Sequence, residues 1–249
     1  MVQPVVDLTG KVVLITGAGQ GMGASHARVL AAHGARVVVT DVTAAPAEEV
    51  AAGIAADGGD ALGLALDVTD RAAWAAVVDR VAERHGRIDG LVNNAGAYVR
   101  APFLETDERT LEVHFRVNVM GPTLGMQTVF PLMREHGGAV VNISSVAGLG
   151  GYPQASAYAA SKWGLLGLSR TAALELGEHG IRVNAICPGA MDTQMISEES
   201  RAGRGAVGGL PIPRAGRPEE ASALVAFLLS SASSYCTGQE FVIDGGMKA

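Results

Sequence analysis

The chain has 249 residues, of which 48% are hydrophobic and 18% charged, enough apolar material for a buried sheet covered by helices. Its formal net charge of −6, a pI near 5.5 and the lack of any basic run argue against nucleic acid or an anionic membrane surface as partner. Cys187 and Cys236 are too few for a disulfide framework and residues 1–7 do not read as a signal peptide, so a reducing, cytoplasmic setting is expected.

Strand-like and helix-like stretches alternate from the start. Residues 11–16 form a short run rich in valine, and a helical stretch covers about 21–33. Between them lies Thr16 followed by Gly17, Ala18, Gly19, Gln20, Gly21, Met22 and Gly23. Glycines where a strand turns into a helix permit a tight turn and let a pyrophosphate approach the backbone, while the helix N-terminus favours negative charge.

A second strand, 35–40, leads into Asp41 and Val42. A carboxylate at that point can accept hydrogen bonds from adenosine ribose hydroxyls and repel a 2′-phosphate, or it can simply serve as a turn residue. No arginine or lysine lies in the glycine loop or just after Asp41, so NAD is expected rather than NADP.

A helix at about 46–57 and a strand at 61–66 follow, the latter expected to end at Asp67 and Val68. Asp67 could meet an adenine amino group, although Asp67 or Asp70 could equally cap the helix at 70–85. A fourth strand, 90–93, ends in Asn93, Asn94, Ala95 and Gly96, small residues that leave room for a flat ring and amides that can tie loops together. One long helix is predicted over 107–135, with Asn118 inside it and Gly121-Pro122 loosening the next turn. Asn118 there is either a satisfied buried polar group or a relay that orders a water.

A strand at 139–144 opens onto a charge-free, glycine-lined turn, too polar for a membrane span, and a helix over 156–178 follows. Strands at 182–186 and 241–243 and a helix at 218–230 complete the pattern. Continuous hydrophobicity within the strands implies burial on both faces, hence an α/β doubly wound parallel sheet of about seven strands with helices on both faces. Residues 1–249 are expected to form a single dinucleotide-binding catalytic domain. The rhythm breaks only at 191–217, which holds Met191, Met195, two prolines and four arginines and is expected to be a mobile substrate lid.

Tyr158 and Lys162 stand four residues apart, on one face of the helix predicted there. The lysine ammonium is expected to favour the ionised phenol and lower its pKa, and the hydroxyl of Ser145 could hold a substrate oxygen at the same spot. Histidines 26, 33, 85, 114, 136 and 179 show no metal-ligand spacing, and most are expected at helix surfaces or ends, so no metal site is expected. Cys187 reads as small and buried, and Met126, Met191 and Met195 as packing residues. Tyr98, Phe103, Leu149 and Tyr152 suggest an apolar substrate lining.

These pieces, taken in order and spacing, resemble the short-chain dehydrogenase/reductase family of the single-domain, Rossmann-type kind, from about residue 8 to 247. The carriers are the glycine turn at 17–23, Asp41-Val42, the Asn93–Gly96 segment, Asn118, the 142–145 segment, Tyr158 to Lys162, Pro188-Gly189 and the closing 242–246. The resemblance implies Tyr158 as catalytic acid/base, Lys162 as its partner and nicotinamide-ribose ligand, Ser145 as substrate-oxygen holder and Asn118 as proton relay. It implies cofactor contacts at Asn94, Ile143, Pro188, Gly189 and Thr193, the last to the carboxamide. Segments at 21–26, 173–177 and 233–238 are similar to bacterial hydroxysteroid dehydrogenases.

The activity so implied is NAD-dependent interconversion of a secondary alcohol and a ketone, with a small, apolar hydroxysteroid or terpenoid alcohol as substrate and a homotetramer as assembly. A 3-oxoacyl-thioester (acyl carrier protein) reductase is the alternative, for which Arg201, Arg204, Arg214 and Arg217 could form a local basic patch. An NADH-binding scaffold without turnover would have no need of Ser145, Tyr158 and Lys162 together.

Overall fold

The valine-rich runs pair side by side into one parallel sheet. The structure, a computed structural model, describes residues 6–194 and 196–249; residues 1–5 and Met195, on which expectations about the chain start and packing fall, lie outside the described residues. The strands are β1 (Val12–Ile15), β2 (Arg36–Asp41), β3 (Asp60–Ala65), β4 (Gly90–Asn93), β5 (Gly138–Ile143), β6 (Ile181–Pro188) and β7 (Glu240–Ile243). Their order across the sheet is β3-β2-β1-β4-β5-β6-β7, all neighbours parallel. The connections are α1 (Gly21–Ala32), α2 (Ala44–Ala56), α3 (Arg71–His85), α4 (Glu108–Phe115), α5 (Gly121–Val129), α6 (Ser156–Leu176), the short α7 (Glu198–Arg201) and α8 (Pro218–Leu229).

Side chains alternate across the pleat, so each strand feeds two cores. Val13, Ile15, Val37 and Val39 pack against Leu30 of α1, Val50 and Ile54 of α2 and Val225 and Leu228 of α8. Val12, Leu14 and Val38 face the other way, onto Trp74, Val77 and Val81 of α3 and Leu124 of α5. This is the expected doubly wound arrangement. It leaves a crevice between β1 and β4, where the strand order reverses and the chain departs to opposite sides.

The single helix expected over 107–135 is broken. After α4, residues Arg116–Met120 make a π turn, α5 follows, and Phe130–Leu132 close as a 3-10 turn. Pro122 has no amide hydrogen to offer the carbonyl four residues back, that of Asn118. The ladder widens instead, and the Gly121 amide bonds to the Arg116 carbonyl. The third strand also stops at Ala65, short of the expected Leu66, so Asp67 lies in the following turn. Among the described residues no helix is long and apolar enough to cross a membrane.

Candidate active site

A cavity of about 370 Å³ opens in the crevice at the strand ends. Gly17 follows β1, Asp41 ends β2, Asn94 follows β4 and Ile143 ends β5, and all four line it. Parallel pairing brings the ends of separate strands to one edge of the sheet, which is why residues distant in sequence meet here.

The glycine turn is shaped by close approaches. Gly17 has φ 59°, and a Cβ there would lie 2.7 Å from the Ala95 backbone. At Gly23 a Cβ would lie 2.2 Å from the Gly17 carbonyl oxygen, so only glycine lets α1 start against the turn. Asn94 locks the two strand ends together, its Nδ2 donating to the carbonyls of Thr16 (2.9 Å) and Gly17 (2.8 Å). Gln20 caps α1 without a side-chain hydrogen bond, and Gln20, Gly21, Met22 and Gly23 line the cavity, so first-turn amides remain to receive an anion.

The Asp41 carboxylate is held from both sides: the amide of Gly19 donates at 2.9 Å and that of Val42 at 2.8 Å. Asp41 and Val42 line the same cavity. Of the two aspartates that follow β3, Asp70 is the helix cap, accepting from Ala72, whereas Asp67 accepts from the amide and hydroxyl of Thr69. Asp67 and Val68 remain in the cavity wall with Ala95 and Gly96. A turn permissive to phosphate, an uncapped helix start and a strand-end carboxylate fit a nicotinamide dinucleotide.

Tyr158 and Lys162 line the cavity's other end. The Lys162 ammonium lies 5.6 Å from the centre of the Tyr158 ring and donates to the Ile143 carbonyl at 2.8 Å. Burial pushes the phenol up to about 12, opposed by a hydrogen bond with Ser145, and burial pulls Lys162 down to about 8. The expected acidification of the phenol by the ammonium is therefore not met by these protein groups. Burial is the largest cause of the shift of each group, and it disfavours the charged form of both.

Asn118 is fully buried, accepting from the Ala97 amide (2.8 Å) and donating to the Ala97 carbonyl (3.1 Å) and Ser161 hydroxyl (2.9 Å). Ser161 in turn donates to the Tyr158 carbonyl at 2.7 Å. Ser145 caps the 3-10 turn Val146–Gly148, its hydroxyl accepting from Ala147. Thr193 stands opposite Gly21 across the mouth and lines the cavity. Gly19, Ser145, Pro188 and Gly189 do not line it; Pro188 ends β6 in register with Ile243 of the edge strand β7, and the Gly189 amide donates to the Ile243 carbonyl at 2.9 Å.

Several contributors escaped the sequence reading. Leu66, Ala97, Val117, Ser144 and Gln194 line the cavity, and Tyr98, expected only as substrate lining, sets its ring 4.8 Å from that of Tyr158. His114 is fully buried rather than at a helix surface, with its ring 6.2 Å from Tyr158, and His26 is likewise fully buried. Leu66 and Val117 had a signal in their neighbours Asp67 and Asn118; His114 had none. Cys187 is buried and its thiol is pushed up to about 11 by burial, which suits packing rather than nucleophilic attack. Among the described residues no group of three histidine, cysteine or acidic side chains could hold a metal ion.

A family model described as enoyl-(acyl carrier protein) reductase matches residues 17–248. The trans-4-hydroxycyclohexanecarboxylate dehydrogenase of Sinomonas cyclohexanicum is 42% identical over 245 residues, covering 96% of this chain and 93% of that protein. The 3-alpha-(or 20-beta)-hydroxysteroid dehydrogenase of Mycobacterium tuberculosis is 41% identical, covering 97% of this chain and 91% of its own length. The crystal structure of a short-chain type dehydrogenase/reductase from Mycobacterium marinum superposes with a TM-score of 0.92 at 34% identity, over 98% of this chain and 97% of the other. With a family model matching most of the chain, a close structural superposition and relatives above 40% identity over nearly their whole length, the chain belongs to the short-chain dehydrogenase/reductase family, whose members are NAD(P)-dependent oxidoreductases.

Proposed function

We propose that this protein is an NAD-dependent dehydrogenase that interconverts a secondary alcohol and its ketone on an apolar, cyclic substrate. Tyr158 and Lys162 lying in the wall of the same cavity as the glycine turn and Asp41 is the observation that carries the reading. Relatives named for a ring alcohol and for hydroxysteroids support the cyclic substrate class.

The dinucleotide supplies the hydride acceptor or donor; the protein supplies position and proton transfer. Ser145 and Tyr158 hold the reacting oxygen, and the Tyr158 phenol exchanges its proton. Both Nδ2 hydrogens of Asn118 are committed to Ala97 and Ser161 and its Oδ1 accepts from Ala97, so the relay water is assigned to the Asn118 backbone carbonyl, which Pro122 deprives of its usual helix donor. The cofactor is NAD, because the carboxylate of Asp41, aimed by the Gly19 amide, would repel a 2′-phosphate. Pro188 and Gly189 act from behind the wall by fixing the path to Thr193.

Residues 191–217 serve as the substrate lid of one catalytic domain. The lid is pinned at its base by a bridge between Met191 and Gly216 and by Arg201, which donates to Asp192 and to the Thr193 carbonyl. Phe115 of α4 and Trp163 and Leu174 of α6 are large apolar side chains left exposed, and they support association into a homotetramer. Two free cysteines suit a cytoplasmic setting.

The acyl carrier protein reductase reading has the description of the matching family model in its favour. Its basic patch is largely neutralised, however: Arg201 pairs with Asp192, and Arg214 and Arg217 both pair with Glu220. An NADH-formation screen across ring alcohols, hydroxysteroids and 3-hydroxyacyl thioesters separates the two. Turnover confined to thioesters would displace the present reading, and tight NADH binding with turnover of nothing would favour a scaffold.

A further inference from the structure

His114 of α4 and Asn118 of the π turn, four residues apart, together grip the segment that carries Tyr98. Asn118 Oδ1 accepts the Ala97 amide at 2.8 Å, and its Nδ2 donates to the Ala97 carbonyl at 3.1 Å. His114 Nε2 accepts the Val99 amide at 3.0 Å. Further on, the Ala101 amide donates to the Gln154 carbonyl at 3.0 Å, beside a bridge between Ala101 and Ala155. Positions 97, 99 and 101 are therefore fixed by partners from outside the segment, and Tyr98 sits between the first two.

The same amide reaches the chain around Tyr158. Asn118 Nδ2 donates to the Ser161 hydroxyl at 2.9 Å, and that hydroxyl donates to the Tyr158 carbonyl at 2.7 Å. The single hydroxyl proton of Ser161 is given to Tyr158, so its oxygen can only accept from Asn118, and the amide has one orientation. Asn118 and Ser161 are both fully buried, which strengthens these bonds relative to exposed ones. Tyr98 and Tyr158, distant in sequence, are thus tethered to one side chain.

Their rings meet inside the site. Tyr98 lies edge-on to Tyr158, with centroids 4.8 Å apart and planes at 67°, and His114 meets the same ring at 6.2 Å and 73°. Both pairs have the T-shaped geometry in which the positive edge of one ring faces the negative face of another. The Lys162 ammonium, 5.6 Å from the Tyr158 centroid, is within cation–π reach of it. Tyr98 and Tyr158 both line the large cavity. A tyrosine on a helix retains two χ1 wells, and its hydroxyl keeps a fixed place only if neighbouring groups select one of them.

We propose that Tyr98 is a positioning residue for the reaction: its ring, presented by Asn118 and His114, holds the Tyr158 ring in the rotamer that aims the phenol hydroxyl at the reacting oxygen. The inference rests on the alcohol dehydrogenase reading and adds to it a residue beyond Asn118, Ser145, Tyr158 and Lys162. Tyr98 contributes an aromatic edge, so its own hydroxyl is dispensable.

The test uses the full-length protein with NAD, cyclohexanol, cyclopentanol and androsterone as alcohols, and NADH formation as the signal. Y98L should lower kcat by roughly tenfold to a hundredfold, the effect of misplacing a reacting group by about 1 Å, while NADH binding followed by fluorescence stays as in wild type. Y98F should recover most of that loss. A second readout needs no turnover. With isotope-labelled tyrosine rings, NMR relaxation should find the Tyr158 ring rigid in wild type and in Y98F, and in Y98L mobile toward the level of the fully exposed Tyr235. A Tyr158 ring as rigid in Y98L as in wild type, or a Y98L loss confined to the alcohol KM, overturns the positioning role and leaves the dehydrogenase reading intact. Failure of Y98F to recover turnover assigns the effect to the Tyr98 hydroxyl and overturns that role too. A Tyr158 ring that loosens in Y98L, in a protein whose wild type oxidises no ring alcohol, upholds the brace and overturns the dehydrogenase reading.

Discussion

His114 and Val99 hold each other across the wall behind the candidate active site. The Val99 amide donates to His114 Nε2 at 3.0 Å, which places the ring proton on Nδ1, and Nδ1 donates to the Thr110 carbonyl at 2.7 Å. A fully buried ring with both nitrogens engaged fixes the segment that presents Tyr98 to Tyr158.

Replacing His114 by phenylalanine keeps an aromatic ring there and removes both hydrogen bonds. The variant should lose about 1–3 kcal/mol of stability. Its KM for the alcohol should rise more than its KM for NAD, because the loop with Tyr98 loosens while the glycine turn is untouched. Faster amide exchange at Val99 is the direct check; unchanged exchange would assign His114 to packing alone.

The Y158F variant should lose roughly 10²–10⁴-fold in turnover while NADH binding, followed by its fluorescence, persists. The protein environment raises the phenol to about 12, so the proton stays on the oxygen at neutral pH. Ketone reduction, which consumes that proton, should be favoured as pH falls, and alcohol oxidation should rise as pH rises. Opposite slopes of kcat/KM for the two directions, both lost in Y158F, are the expected result.

Replacing Asp41 by alanine should shift the preference toward NADP. A carboxylate facing a 2′-phosphate costs several kcal/mol, so the NAD to NADP ratio of kcat/KM should fall by roughly a hundredfold or more. The Gly19 amide loses its acceptor as well, so NAD affinity should weaken modestly. A ratio that does not move would show that Asp41 does not face the ribose.

His26 predicts an acid-sensitive contact between α1 and α8. Its Nδ1 meets the Ser222 hydroxyl at 2.8 Å, its Nε2 is buried without a partner, and burial pushes its pKa from 6.5 down to about 3. The folded state refuses a proton that the unfolded chain accepts. Stability from this group is therefore complete above pH 6.5 and falls as pH drops toward about 3. The urea midpoint should decline across that window in wild type and decline less in H26L, in which Ser222 retains Ser25 and the Pro218 carbonyl as partners.

Much of this molecule was written locally in the chain. Runs such as Val12–Ile15 and Gly138–Ile143, buried on both faces, declare a parallel sheet, and the glycines between β1 and α1 declare a turn that a phosphate can approach. The four-residue spacing of Tyr158 and Lys162 needs only a helix to set both on one face. Such features depend on periodicity and on what glycine permits, and both are properties of short segments.

The charges and the breaks were decided elsewhere. Whether Tyr158 is acidified depends on how much water surrounds it and Lys162, and that is set by β5, α6 and the loops closing over them rather than by their spacing. The π turn at Asn118 needed the register that Pro122 imposes on a helix packed against its neighbours. His114 and Gln154 acquired their places only when loops far apart in sequence were brought together, because burial and hydrogen-bond partners are properties of the whole packed chain.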